Sequence, residues 1–133
     1  MTYALDTNII IHLLNDNPAV ISRRNDAIAA GDQFIILRVV DYEIRRGLLY
    51  KPSKKKGALY QSLVAHYGIG EITVPVWNRA AEVYSDLRNA GYTVADADIL
   101  IAACCIENGY TLVTNNVGDF QNINGLVFED WVK

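Results

Sequence analysis

Residues 96–116, DADILIAACCIENGYTLVTNN, decide the fold. Asp96 to Asn108 reads as a helix with apolar residues on nearly every side: Ile99, Leu100, Ile101, Ala102, Ala103 and Ile106. A helix hydrophobic all round belongs in the middle of a domain. Thr111-Leu112-Val113-Thr114 follows as a short buried strand and runs into the polar pair Asn115-Asn116.

The same alternation extends outward in both directions. Tyr3-Ala4-Leu5 is a strand meeting the polar turn Asp6-Thr7-Asn8, and Ile9 to Leu14 is a helix stopped by Asn15-Asp16-Asn17-Pro18. Val20, Ile21, Ala27 and Ile28 suit an amphipathic helix from Pro18 to Ala30, with Gly31 as its stop. Phe34 to Leu37 is a second strand, and Asp41 to Tyr50 a helix with Ile44 and Leu48 on one face. Lys51-Pro52-Ser53 interrupts, and a further helix carries Leu59 and Leu63. Ile72-Thr73-Val74 is predicted as the third strand, ended by Pro75. Val76, Ala80, Val83 and Leu87 recur at intervals of three and four, a helix closed by Gly91. Leu126-Val127-Phe128 is the fifth strand. Short apolar strands alternating with helices predict an α/β fold: one domain over residues 1–133, with a mainly parallel five-stranded sheet flanked by helices. Ligands of such sheets bind beyond the carboxyl ends of central strands. Asp6-Thr7-Asn8 and Thr114-Asn115-Asn116 are therefore the places to look for chemistry.

Composition narrows the class. At 133 residues, half apolar and a fifth charged, the chain has enough core for a domain without disulfides or structural zinc. Cys104 and Cys105 are neighbours in an apolar run, which suggests buried free thiols in a reducing compartment. No basic start precedes a leader-like segment, and no apolar run approaches the about 18 residues of a membrane span, so the expectation is a cytoplasmic protein without membrane contact. A net charge of −3 argues against a general nucleic-acid coat. Basic residues nonetheless gather at Arg23-Arg24, Arg45-Arg46 and Lys51 to Lys56, and a local basic face binds phosphates even on an acidic protein. Tyr42, Tyr50 and Tyr60 stand near these clusters as stacking candidates. His12 and His66 have no metal spacing and read as packing or surface residues.

Asp6 at the end of a buried strand needs a partner: a cation, a donor, or the helix it would cap. Asp98 lies in the first turn of an otherwise apolar helix, where the dipole favours an anion. Asp96 is about 200° around that helix from Asp98, so it reads as the N-cap or a supporting residue and Asp98 as the inward one. Glu43, near the start of its helix, and Asp119, past the fourth strand, are each ambiguous alone. Acids converging on one crevice raise each other's pKa values, and an oxygen-rich site selects Mg²⁺ or Mn²⁺ over zinc.

Four ordered segments resemble the motifs of PIN-domain proteins: Leu5-Asp6-Thr7-Asn8-Ile9, Tyr42-Glu43-Ile44-Arg45-Arg46-Gly47, Asp98 to Ala103, and Leu112 to Phe120. The closing Gly125-Leu126 to Asp130-Trp131 resembles the tail of the VapC toxin branch. The resemblance covers nearly the whole chain. It implies a PIN-like domain, a homodimer, a Mg²⁺- or Mn²⁺-dependent endoribonuclease, and a VapB-like antitoxin that inhibits it. It maps metal ligands onto Asp6, Glu43 and Asp98. The fourth acidic position falls on Asp119, or on the place where this chain has Asn116. Thr7, Asn8, Asp96, Thr114 and Asn116 become residues that orient water, ligands or phosphate, and Arg45, Arg46, Lys54 and Lys55 become candidate RNA contacts. Arg38 and Val40 stand where relatives often carry hydroxyl residues before the glutamate. The alternative is an inactive PIN-type module that binds RNA or protein. A receiver-like domain would want a Lys after the last strand, and a dehalogenase-type phosphatase an Asp where Asn8 stands.

Overall fold

The computed structural model describes residues 1–132. Five strands, β1 (Thr2–Leu5), β2 (Gln33–Leu37), β3 (Ile69–Gly70), β4 (Thr111–Val113) and β5 (Phe128–Glu129), form one sheet in the order β3-β2-β1-β4-β5. Every pairing is parallel, with Tyr3 opposite Phe34 on one side and Thr111 on the other. The helices are α1 (Thr7–Leu14), α2 (Pro18–Ala29), α3 (Arg38–Tyr50), α4 (Lys54–Tyr67), α5 (Val74–Asn89), α6 (Asp96–Asn108) and α7 (Val117–Phe120). From β1 the chain steps outward through β2 to β3, then returns to the other side of β1 as β4. That reversal opens a crevice between the carboxyl ends of β1 and β4.

Local chemistry explains most boundaries. Asn17 caps α2 through bonds from the Ala19 and Val20 amides, with Pro18 in the first turn, and Ser53 caps α4 through the Lys56 amide. Gly109 ends α6 at φ 69, a left-handed position that glycine occupies without strain. Ile99 and every residue from Ile101 to Cys105 are buried, as the all-round apolar pattern of α6 requires. The run Ala102-Ala103-Cys104-Cys105 is small enough to lie close to its neighbours. Both thiols are free, and burial pushes Cys104 up to about 11 and Cys105 higher still, so neither is reactive.

Four elements differ from the sequence reading, the fifth strand being Phe128–Glu129 where Leu126 to Phe128 was expected. The third strand is Ile69–Gly70, not Ile72 to Val74: the chain leaves the sheet after Gly70, and Val74-Pro75 is the first turn of α5. Proline is at home there because the first helical amides have no partner in the helix. Helix α3 begins at Arg38, three residues before Asp41, and the segment after β4, for which no helix was expected, contains the single turn α7. Among the described residues, no helix is long and apolar enough to cross a membrane.

Candidate active site

The crevice is built from its floor upward by two strand ends. Asp6 follows β1, and its amide extends the ladder by donating to the Val113 carbonyl at 2.9 Å. Its side chain turns into the crevice at 5% exposure. Oδ1 accepts from the Thr7 amide at 2.8 Å, capping α1, and Oδ2 accepts from the Thr114 hydroxyl at 2.8 Å. Cap and candidate ligand are thus the same residue. Burial pushes the Asp6 carboxyl above the usual range and the charges of Glu43 and Asp119 push it further, while the two hydrogen bonds pull partly back.

Thr7 reaches across to α3, its hydroxyl donating to Glu43 Oε1 at 2.8 Å. One residue therefore holds both acids, Asp6 by its backbone and Glu43 by its side chain. On the other wall, Thr114 Oγ1 accepts from the Asn116 amide at 2.9 Å, and the Asn116 side-chain amide donates to Asp119 Oδ2. The α7 turn is what carries Asp119 back toward the crevice. Positions 116 and 119 thus form a hydrogen-bonded pair, with Asn116 donating to the Asp119 carboxylate.

Asp98 completes the group from the first turn of α6. Its carboxyl is pushed up to about 7, first by burial, then by a hydrogen bond shared with Asp119, then by the charges of Asp6, Asp119 and Glu43. Four acids from four parts of the chain thus act on one another. Among the described residues, no three His, Cys, Asp or Glu side chains already form a cation cage. Hydrogen bonds fix two of the acids, Thr7 holding Glu43 and Thr114 holding Asp6.

The remaining candidates divide. Asn8 is exposed in the first turn of α1. Asp96 does not cap α6, since Ala95 occupies the N-cap and no side-chain bond is made there. Its exposed carboxyl lines a separate cleft with Trp77 and Tyr84, so it does not join the four acids. The half-turn offset from Asp98 is what sends it there. Arg46 lies 3.5 Å from Glu43 Oε2 and over the Tyr42 ring at 5.1 Å, at the rim of the site. Arg45 is committed through its Nε to Asp41 at 2.9 and 3.0 Å, and the rest of its side chain is exposed. Lys54 is exposed, and Lys55 lies 3.6 Å from Asp16. Tyr60 is buried with its hydroxyl donating to Asp41 at 2.7 Å, so it does not stack on bases; Tyr42 and Tyr50 are exposed.

The residue that sequence reasoning missed is Asp41, 2% exposed and bonded by Arg38, Arg45 and Tyr60. Burial opposes its ionisation, but these bonds outweigh it and hold the carboxyl below the usual range. Arg38 also grips Glu71, joining α3 to the segment between β3 and α5. The signal was the spacing Arg38, Asp41, Arg45, which places three charges on one helix face.

The PIN domain family model matches residues 3–126. The chain is 29% identical over 136 aligned positions to Ribonuclease VapC2 of Rickettsia felis, covering all of both proteins. It is 27% identical over 147 positions to Ribonuclease VapC1 of Haemophilus influenzae, again over the full length of each. The structure of VapBC2 from Rickettsia felis bound to a DNA fragment from their promoter superposes with a TM-score of 0.89 at 26% identity, covering 98% of this chain and 99% of that one.

Proposed function

The chain belongs to the PIN-domain family, and from that premise we propose that it is a divalent-cation-dependent endoribonuclease, the toxin of a toxin–antitoxin pair. The observation that carries the reading is the meeting of Asp6, Glu43, Asp98 and Asp119, with Asp98 pushed up to about 7 by burial and then by its neighbours. The donor set suits a hard cation such as Mg²⁺ or Mn²⁺: carboxylates, the Thr7 and Thr114 hydroxyls and the Asn116 amide, with no thiolate or imidazole among them. Asp6, Glu43 and Asp98 would hold it, with Asp119 in support. When bound, such a cation lowers the pKa of water and draws off charge from the phosphate.

The side chains supply the rest. Thr7 and Thr114 fix the carboxylates of Glu43 and Asp6, so these acids enter the reaction already oriented. Asn116 restrains Asp119, and Arg46 at the rim faces an incoming phosphate. Water attack on phosphorus with departure of the 3′ oxygen leaves a 5′-phosphate and a 3′-hydroxyl, and no protein nucleophile takes part. Exposed single-stranded loops of RNA are the substrates that fit such a crevice. The likeness to VapBC assemblies supports a VapB-like antitoxin as the inhibitor, and exposed Trp77 and Tyr84 on α5 supply an apolar face for a second copy in a homodimer.

The test is cleavage of a structured RNA pool by the purified chain with Mg²⁺ or Mn²⁺, against Asp98→Asn. Cation-dependent cleavage that the substitution abolishes, with the fold kept, is expected. Equal activity in the variant would reject the assignment, and RNA binding without cleavage by the unmutated chain would favour the inactive module.

A further inference from the structure

Two features of this chain cost stability, and both border one groove. The groove starts at Glu43 and runs between α1 and α3 to the start of α4. Gly47, in the interior of α3, forms part of its wall. Glycine inside a helix is destabilising relative to alanine. Nothing within the chain requires it: a Cβ at position 47 would meet no atom within 4 Å. The second feature is the first turn of α4, which carries Lys54, Lys55 and Lys56 and no acid. A helix N-terminus favours negative charge, so three cations there oppose the dipole. Lys56 lines the groove, as does Lys51 at the end of α3, and among the described residues neither has a carboxylate within 4.0 Å.

The layout is linear. Glu43, Gly47 and Lys51 recur every four residues and so share one stripe of α3, with about 12 Å of helix axis from acid to amine. Beside Gly47 the floor is apolar, made by Ile11, Leu14, Ile44 and Leu48, and Ile11 is exposed. The groove therefore offers, in order from the acids, an unblocked apolar bed against bare helix backbone and then two unpaired cations.

We propose that this groove seats the single-stranded RNA next to the scissile phosphate: a base lies on the bed at Gly47, and the following phosphates meet Lys51 and Lys56. This rests on the nuclease reading, since continuity with the acids is what favours RNA over an acidic protein segment as the occupant.

The experiment uses the Asp98→Asn protein as a non-cleaving parent and a fluorescent single-stranded oligoribonucleotide of about 12 nucleotides. Gly47→Leu fills the bed. It is expected to weaken binding by roughly tenfold, as one base loses its contact with the apolar bed, without lowering the melting temperature. Lys51→Gln with Lys56→Gln is expected to flatten the dependence of log affinity on log salt by about 1.4, for two lost phosphate contacts. A folded Gly47→Leu protein that binds the oligonucleotide as tightly as its parent overturns the proposal and leaves the groove to a protein segment. Should Gly47→Leu not fold, an unchanged salt slope in the lysine variant overturns it alone. Failure here leaves Asp98-dependent cleavage by the unmutated chain intact, whereas failure of the nuclease reading removes that cleavage itself.

Discussion

Asp98→Asn should make the cation-free protein more stable at alkaline pH and have little effect near pH 4. The Asp98 carboxyl is pushed up to about 7 in the folded chain, against about 3.9 in an unfolded one. The folded state thus binds more protons between those values, and linkage makes its stability fall as pH rises through that window. Below pH 4 both states are protonated and the group contributes nothing; above pH 7 the full penalty is present. Three units correspond to about 4 kcal/mol gross. Asp98 is only half-buried, so water screens its neighbours and roughly 1–2 kcal/mol should survive. Asparagine keeps the shape and can still donate to Asp119, but it carries no charge to bury. Urea unfolding in EDTA at pH 5 and pH 8 measures the difference, and comparing variant with parent cancels the carboxylates that do not interact with Asp98. The parent should lose stability relative to Asp98→Asn between the two pH values. Saturating Mg²⁺ at pH 8 should restore the parent and not the variant, by about 2.7 kcal/mol when the cation stands at 100 times its Kd. A parent whose stability tracks the variant across that window would refute the claim that these four acids share one field.

Thr114→Val removes the hydroxyl bonded to Asp6 Oδ2 and should cost about 1–3 kcal/mol by thermal unfolding, with slower RNA cleavage because Asp6 loses its orientation. Tyr60→Phe takes one donor from the buried Asp41 carboxylate and should cost about 1–3 kcal/mol. Because Asp41 is held below its usual range, its contribution is present at neutral pH and lost as pH falls through its lowered pKa. An unfolding profile of Tyr60→Phe that converges with the parent in acid checks that sign.

What was legible in the sequence follows from how much of each element is buried. The helix Asp96–Asn108 and the strands around Leu5, Ile36 and Leu112 are apolar on both sides, so burial left a continuous trace. The third strand left none, because two residues at a sheet edge have no periodicity to read. Ile72-Thr73-Val74 has the β-branched composition of a strand, but its Pro75 is a helix-start signal. In the site, Asp6, Asp98 and Thr114 follow from the strand-end rule and the dipole of α6. Glu43 and Asp119 needed the family resemblance, since each depends on a contact made across the crevice. Arg45 and Arg46 take different partners for a geometric reason: adjacent residues on a helix face about 100° apart, so Arg46 pairs with Glu43 and Arg45 with Asp41.

The strain of this chain lies on one side and its fastening on another. Along the crevice and its groove stand a buried Asp6, an Asp98 carboxyl pushed up by burial and by its acidic neighbours, a helical glycine without a steric reason and lysines set against a dipole. Away from them, Asp41 draws Arg38, Arg45 and Tyr60 together and through Arg38 holds Glu71. Near the end of the chain, Glu129 accepts from Tyr3 and from the ring nitrogen of the buried Trp131, which packs edge-on to Tyr3 and Phe34. A domain with only a few kcal/mol of net stability tolerates such a site only if the rest of the fold offsets it. The division also has a direction: substitutions at Asp98, at Gly47 and at the lysines of α4 should raise melting temperature while lowering RNA binding or cleavage, whereas those in the two fastening networks should lower melting temperature first. A substitution at Asp98 or Gly47 that destabilises the cation-free chain would place that residue among the supports of the fold and overturn this division.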